Sequence, residues 1–262
     1  MNLGLSNRVA LVAAGSKGLG LAVAEELAAE GAAVAICARG QAALDTAVAR
    51  IRATGARAHG IAADVSNPAD IARVIADTEA TLGPIDILVT NSGGPKSGRF
   101  ETLSADDWDA ASRVLLTSAV TFTRAVLPTM RARRWGRILN ITSIAAKQPV
   151  DGLMLSNSLR AAVIAFARTL ANEVAADGIT VNNLLPGYTR TERVVELSGQ
   201  IAARESVSVE SVYARWEHEI PMRRLGEPRE FAALAAFLAS DRASYVTGQS
   251  IAVDGGWIKG MF

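Results

Sequence analysis

The sequence has little of the residue types that mark several classes of protein. Its 262 residues include one cysteine, Cys37, and two histidines. A single cysteine excludes a disulfide framework within the chain, which is typical of a protein from a reducing compartment. No cluster of cysteine, histidine and acidic residues has the spacing of metal ligands, so we predict no metal site.

Charge and hydropathy exclude further classes. The formal net charge is only +1, which argues against a nucleic-acid partner. No apolar run is long enough to span a bilayer, and the first residues lack the layout of a signal peptide, so we predict no membrane association. We expect a cytoplasmic protein that acts on a small-molecule substrate.

Half of the residues are apolar, and two hydrophobic periodicities alternate along the chain. Short apolar runs indicate buried strands, and apolar residues at helical spacing follow them. This alternation predicts an α/β fold, a doubly wound parallel sheet of the Rossmann type, with about seven strands. No linker or repeat divides residues 1–262, so we predict a single domain. The first strand begins at Val9, and the others are predicted at 33–37, 56–63, 85–89, 136–141, 179–185 and 250–253.

The predicted helices begin and end at recognisable signals. Asn67 can cap a helix with Pro68 in its first turn, and Gly83 is a normal stop signal. Ser104 and Asp107 have the spacing of a capping box. Besides the helix after the first strand, helices are predicted at 41–52, 67–83, 104–130, 155–176 and 230–238.

One stretch organises the rest of the chain. The apolar run that begins at Val9 leads into three glycines, Gly15, Gly18 and Gly20, and then into a helical pattern. Glycines let the backbone turn tightly and approach a ligand closely. The start of the helix presents free N–H groups and a partial positive charge, so the order strand, glycine turn, helix is typical of a phosphate-binding site.

Residues 190–220 follow a loop at the carboxyl end of the sixth strand. Ligands in open α/β sheets bind at this edge of the sheet. The segment is more charged and less regular than the rest of the chain. We expect it to act as a lid over the substrate, and a plain surface excursion is the alternative.

The chain carries several short motifs in a fixed order over almost its whole length. They are residues 14–20, 64–65, 90–93, 183–187, 224–228 and 245–256. With these motifs the chain resembles the classical short-chain dehydrogenases/reductases, and its C-terminal pattern is similar to that of the 3-oxoacyl-acyl-carrier-protein reductases. The resemblance implies a nicotinamide dinucleotide held by Gly15, Ser16, Lys17, Gly18, Leu19, Gly20, Arg39, Asp64, Val65, Asn91, Gly93, Arg160, Pro186, Gly187, Thr189 and Thr191.

Two basic residues favour the phosphorylated form of this cofactor. NAD(H) prefers an acidic residue after the second strand, where it binds the ribose hydroxyls. Here the strand ends at Arg39, and no carboxylate is present. Arg39 can fork onto a 2′-phosphate, and Lys17 adds a second positive charge. We therefore expect NADP(H) to be preferred over NAD(H).

The catalytic set that the resemblance implies is altered. Ser143 matches the family's serine, but local spacing places Ser156 where tyrosine belongs and Arg160 where lysine belongs. Leu115 stands where the family has asparagine. A serine hydroxyl is a far weaker acid than a phenol, whose pKa is about 10. Arg160 can bind the ribose and stabilise a developing oxyanion, but it cannot give up a proton at ordinary pH.

Two nearby residues are candidates for the missing acid. Lys147 lies four residues after Ser143, and burial beside Arg160 would make it a general acid. Tyr188 follows Pro186 and Gly187 on another loop at the same edge. An exposed lysine and a ring that only packs on its surroundings are the respective alternatives.

Three functions remain open at this point. The first is an NADP(H)-dependent carbonyl reductase or alcohol dehydrogenase with Ser143, Arg160 and either Lys147 or Tyr188 in its site. The second is a lyase or isomerase on the same fold that uses Lys147 as a base, and the third is a cofactor-binding protein without catalysis. The resemblance also implies a homotetramer, with a dimer as the alternative.

Overall fold

Seven strands form one parallel sheet in the order β3-β2-β1-β4-β5-β6-β7 in the computed structural model, which describes residues 2–261. Strand order reverses at β1, so the crossovers to its two sides place helices on opposite faces. The doubly wound single-domain fold predicted from the sequence is therefore confirmed. The strands are β1 (Val9–Ala13), β2 (Ala33–Ala38), β3 (Ala58–Ala62), β4 (Ile87–Thr90), β5 (Gly136–Ile141), β6 (Ile179–Pro186) and β7 (Ser250–Val253).

Helices cover both faces of the sheet. Alternate residues of each strand serve the two cores: Ala10 and Val12 pack on the side of α1, α2 and α9, while Leu11 and Ala13 pack on the side of α3, α5 and α6. Strands buried on both faces explain the continuous apolar runs in the sequence. The helices are α1 (Gly18–Ala29), α2 (Gln41–Arg52), α3 (Pro68–Leu82), α4 (Ala105–Ser112), α5 (Ser118–Arg133), α6 (Met154–Val174), α7 (Glu192–Glu205), α8 (Val209–Glu219) and α9 (Pro228–Ala239).

The predicted helix over 104–130 is interrupted. A π-helical segment, Arg113–Thr117, joins α4 to α5. The predicted capping box is present, because Ser104 Oγ accepts from the Asp107 N–H and the Asp107 carboxylate accepts from the Ser104 N–H. Such π-helical turns occur frequently at functional sites, and this one carries Leu115.

The expected irregularity of residues 190–220 is wrong. The segment forms two helices, α7 and α8. Their charged residues face solvent, while Val194, Val212 and Trp216 are buried in a small core separate from the two cores of the sheet. High charge on the outer faces concealed an ordinary amphipathic pattern.

A line of hydrogen-bonded side chains joins four neighbouring strands, β4 to β7. Thr90 Oγ1 donates to Asn140 Oδ1 at 2.7 Å, and Asn140 Nδ2 donates to Asn183 Oδ1 at 3.0 Å. Asn183 Nδ2 then donates to Ser250 Oγ at 3.1 Å. Asn140 and Asn183 are fully buried, so every bond in this line matters to the register of β4 to β7.

We predict that Asn140→Ala lowers the free energy of unfolding by about 2–4 kcal/mol, because the Thr90 hydroxyl and the Asn183 carbonyl oxygen both lose a buried partner. Urea unfolding followed by circular dichroism checks this. Thr46→Ala is the control, since that hydroxyl bonds Ala42 O on an exposed helix surface. Equal stability of the two variants would contradict the role of the line.

Candidate functional site

The glycine turn between β1 and α1 is built by close backbone approaches. Ala14 has φ +47° and Gly18 has φ +53°, both in the left-handed region. A methyl group on Gly20 would lie 2.4 Å from the Ala14 carbonyl oxygen. No side chain caps the start of α1 at Lys17. The first N–H groups of α1 therefore remain free to bind an anion.

The residues expected at the adenosine end lie at the carboxyl ends of β2 and β3. Arg39 and Lys17 are both exposed, with their charged ends in solvent. Asp64 accepts hydrogen bonds from the Ser66 N–H and hydroxyl at 2.9 and 2.8 Å. These bonds lower the pKa of Asp64, and the positive charge of Arg39 adds a smaller effect in the same direction. Asp64 is thus a fixed, ionised acceptor beside half-buried Val65.

The loop after β4 closes the other side of the glycine turn. Asn91 Nδ2 donates to the Ala14 carbonyl oxygen at 3.4 Å and lies against Gly20. A methyl group on Gly93 would meet nothing within 4 Å, so the backbone there is open to a ligand. The structure thus brings Asn91 to the glycine turn.

Ser143 follows the carboxyl end of β5, and Arg160 donates to the backbone of the same end. Ser143 Oγ accepts from the Ala145 N–H at 3.1 Å, which leaves its O–H free to donate. One terminal nitrogen of Arg160 donates to the carbonyl oxygens of Ile141 and Thr142 at 3.1 and 2.9 Å. Ser156 is buried one helical turn before Arg160 on α6. Burial lowers the pKa of Arg160 to about 10, and the positive charge of Arg193 acts in the same direction.

Leu115 borders the same place from the other side. It is buried and lines a small cavity together with Arg160, Asn91, Ser92 and Ser118. The guanidinium therefore lies between the end of β5 and the π-helical segment. The Leu115 side chain can neither donate nor accept a hydrogen bond there, so the polar side chains of this cavity come from other residues, Arg160 among them.

Lys147 lies in an exposed position on the loop that follows Ser143. Lys147 is exposed, so the burial that its predicted role as general acid assumed is absent in this conformation. The loop itself is fixed, because the side-chain amide of Asn157 exchanges hydrogen bonds with the N–H and C=O of Val150 at 3.4 and 3.0 Å. Asn157 was not among the predicted site residues, although it follows Ser156 directly.

The Tyr188 ring packs against two tryptophan rings. Its ring stacks on Trp216 with centroids 4.5 Å apart and meets Trp257 edge-on at 6.1 Å. Burial raises the pKa of Tyr188 to about 12, and the Glu219 carboxylate adds to this. A rise is the opposite of what a proton donor at neutral pH needs, so the geometry disfavours Tyr188 as the acid.

The loop 186–191 and the first turn of α7 reach over the cofactor side of the sheet. Thr189 is buried and its hydroxyl donates to Gly187 O at 3.3 Å. Thr191 and the Glu192 carboxylate lie 3.5 and 3.7 Å from the position of a methyl group on Gly18. Thr191 and the first residue of α7 therefore lie against the glycine turn. Pro186 and Gly187 belong to the motif at 183–187, and Thr189 and Thr191 follow it closely. The residues directly after Thr191 belong to no motif.

Two further properties concern the described part of the chain. Between residues 2 and 261, no helix is long and apolar enough to cross a membrane. In the same range, histidine, cysteine and acidic side chains form no group of three or more that could hold a metal ion.

A family model described as enoyl-(acyl carrier protein) reductase matches residues 13–258. The chain belongs to the classical short-chain dehydrogenases/reductases. Acetoacetyl-CoA reductase of Shinella zoogloeoides is 40% identical over 253 residues, which are 95% of this chain and 98% of that protein.

Two solved structures of family members are similar over nearly the whole fold. L-sorbose reductase from Gluconobacter frateurii, complexed with NADPH and L-sorbose, has a TM-score of 0.94 and 32% identity over 100% of both chains. A variant of actinorhodin polyketide ketoreductase with NADPH has a TM-score of 0.93 and 33% identity over 97% of this chain and 98% of that one. This family member is accordingly an oxidoreductase at the level of its class.

We predict that Gly20→Ala weakens NADPH binding at least tenfold and costs about 1–3 kcal/mol of stability, because the new methyl group overlaps the Ala14 carbonyl oxygen. Fluorescence titration with NADPH and thermal unfolding measure the two effects. Gly40→Ala is the matched control, since a methyl group there meets nothing within 4 Å. Unchanged binding by the Gly20 variant would sink the assignment of this turn to the cofactor.

Proposed function

We propose that this protein is an NADP(H)-dependent oxidoreductase that interconverts a carbonyl compound and its alcohol with an altered catalytic set. The observation that carries the proposal is the complete cradle between Ala14 and Gly20, bordered by Asn91 and Thr191. Its free helix start and glycine backbone suit a dinucleotide diphosphate. When bound there, the nicotinamide supplies or accepts the hydride.

The preference for NADP(H) rests on charge at the end of β2. Arg39 and Lys17 are exposed, and neither forms an ion pair with a carboxylate of residues 2–261. A guanidinium with free N–H groups can bind a 2′-phosphate through two parallel hydrogen bonds. The similar L-sorbose reductase and actinorhodin ketoreductase were both solved with NADPH, which supports the same preference here.

The reacting carbonyl is polarised by Ser143 and Arg160 in this proposal. The Ser143 hydroxyl is free to donate, and Arg160 has nitrogens beyond the one that binds Ile141 and Thr142. Ser156 and Arg160 stand in place of the family's tyrosine and lysine, and Leu115 in place of its asparagine. Arg160 stays charged at neutral pH even with its pKa lowered, so it acts as an electrostatic donor and not as an acid.

Lys147 is the proton donor that we favour. It lies on the loop that follows Ser143, and Asn157 fixes this loop through Val150. Closure of residues 190–220 as a lid would bury it beside the substrate. We do not assign proton transfer to Tyr188, because its ring is stacked on Trp216 and its pKa is raised.

The cellular setting completes the proposal. We place the protein in the cytoplasm as a homotetramer, with a dimer as the alternative. Exposed apolar side chains such as Phe100 and Tyr245 support burial against another copy. Light scattering at micromolar concentration distinguishes a tetramer from a dimer, and a monomer would contradict both.

Oxidation of NADPH by a panel of ketones and aldehydes tests the proposed reaction. Arg39→Gln is expected to raise the Kd of NADPH about tenfold, because one charge-assisted phosphate contact is lost. The Kd of NADH should stay within twofold of wild type. Arg50→Gln is the control, since this exposed arginine pairs with Glu25 instead. Tight NADPH binding without any oxidation would favour a cofactor-binding protein, and turnover with constant nicotinamide absorbance would favour a lyase or isomerase.

A pair of variants tests the proton donor. Lys147→Ala should lower kcat about 100-fold or more, the usual contribution of a general acid. Tyr188→Phe keeps the stacked ring and should leave kcat within about threefold. Steady-state rates with the best substrate of the panel check both. The opposite ranking of the two variants would assign the proton transfer to Tyr188.

A further inference from the structure

A second guanidinium, that of Arg193, lies against the β4 loop that also borders the cavity of Arg160. Arg193, in the first turn of α7, lies over the backbone of Gly94, where a methyl group would meet its Nη2, Nε and Cζ atoms at 2.8, 2.9 and 3.0 Å. Its positive charge is also near enough to act on Arg160. Arg160, from α6, lines a cavity with Asn91 and Ser92 of the β4 loop, and Arg193, from α7, covers Gly94 of the same loop.

The carboxylates nearby leave this pair undercompensated. Arg193 contacts only Glu196, at 3.6 Å, and both side chains are well exposed, at 41% and 65%. Exposed pairs of this kind are weak. Arg160 forms no ion pair with a carboxylate of residues 2–261, and one of its terminal nitrogens donates to backbone carbonyl oxygens. Glu192 is directed to Gly18 at the phosphate-binding turn.

We propose that Arg193 binds the carboxylate of an oxo-acid substrate, a molecule that carries both a carboxylate and the reacting carbonyl. Arginine is suited to this because its fork matches a carboxylate through two hydrogen bonds. In this proposal Arg160 binds the carbonyl oxygen of the same molecule, and Arg193 binds its carboxylate. The inference rests on the proposed function, since it names the substrate class of that site.

The diphosphate of the cofactor is the other anion that could use Arg193. Its expected place is the start of α1, where Thr191 and Glu192 approach Gly18. Arg193 instead lies over Gly94, beyond Gly93 on the β4 loop. This difference in position favours the substrate, and the experiment separates the two sources.

The experiment compares acids with their esters. Acetoacetate with ethyl acetoacetate, and pyruvate with ethyl pyruvate, are matched pairs of probes. In wild-type protein with NADPH we expect kcat/KM to be at least tenfold higher for the acid of one pair. Arg193→Gln should lower kcat/KM for that acid 30-fold or more, mainly through KM, and change the ester less than threefold. Arg190→Gln is the control, because Arg190 lies three residues before Arg193 but pairs with Glu217 and Glu227.

Binding titrations make the result decisive even without turnover. Quenching of bound NADPH fluorescence gives the Kd of each acid and ester for both variants. Equal losses for acid and ester, or no preference for an acid in wild type, would overturn the inference. A parallel rise in the Kd of NADPH would assign Arg193 to the cofactor diphosphate. Acid binding that depends on Arg193 without NADPH oxidation would leave this inference standing and refute the proposed reaction.

Discussion

The site depends on one constraint, the alignment of strand ends at the carboxyl edge of the sheet. The line of hydrogen bonds from Thr90 through Asn140 and Asn183 to Ser250 fixes the register of β4 to β7 and so aligns the ends of these strands. A shift of one strand by a residue would leave several of these groups without partners in a medium where that is costly. The loops that follow β4 and β5 therefore begin at fixed positions. Ser143 lies three residues after Asn140, and Asn91 follows Thr90 directly.

Next to this edge, helices α7 and α8 form a smaller unit with its own core. Helices α7 and α8 pack on each other through Val194, Val212 and Trp216. They are joined to the sheet by the loop 186–191 and by the contact of Tyr188 with both Trp216 and Trp257. Fewer buried contacts hold this unit than hold the sheet, so it is the part best suited to move. The residues that reach the site from it, Glu192 and Arg193, lie in the first turn of α7.

Most of the fold could be predicted from the sequence, because strands buried on both faces carry an unmistakable apolar pattern. The bounds of α2, β5 and β7 agree with the prediction. The lid helices could not be predicted in the same way, since their apolar faces are narrow and their charges dominate any short window.

The site was predictable only where a motif recurs. The glycine turn and the residues around Pro186 follow family patterns, and the structure brings them to one edge. Arg193 and Asn157 carry no motif, and their importance arises from where α7 and the loop after β5 pass in space. Tyr188 shows the reverse case: its position in the sequence indicates a site residue, whereas its environment is two tryptophan rings. Burial and partners, which decide what a side chain can do, are properties of the folded chain.

The stack around Tyr188 has an optical consequence. Two of the four tryptophans, Trp216 on α8 and Trp257 near the C-terminus, contact the same tyrosine ring. Movement of α8 away from the sheet must separate at least one of these rings from Tyr188 and admit water beside an indole. The indole emission depends strongly on such contact with water. The intrinsic tryptophan fluorescence of the protein therefore reports movement of α8, and no attached label is needed.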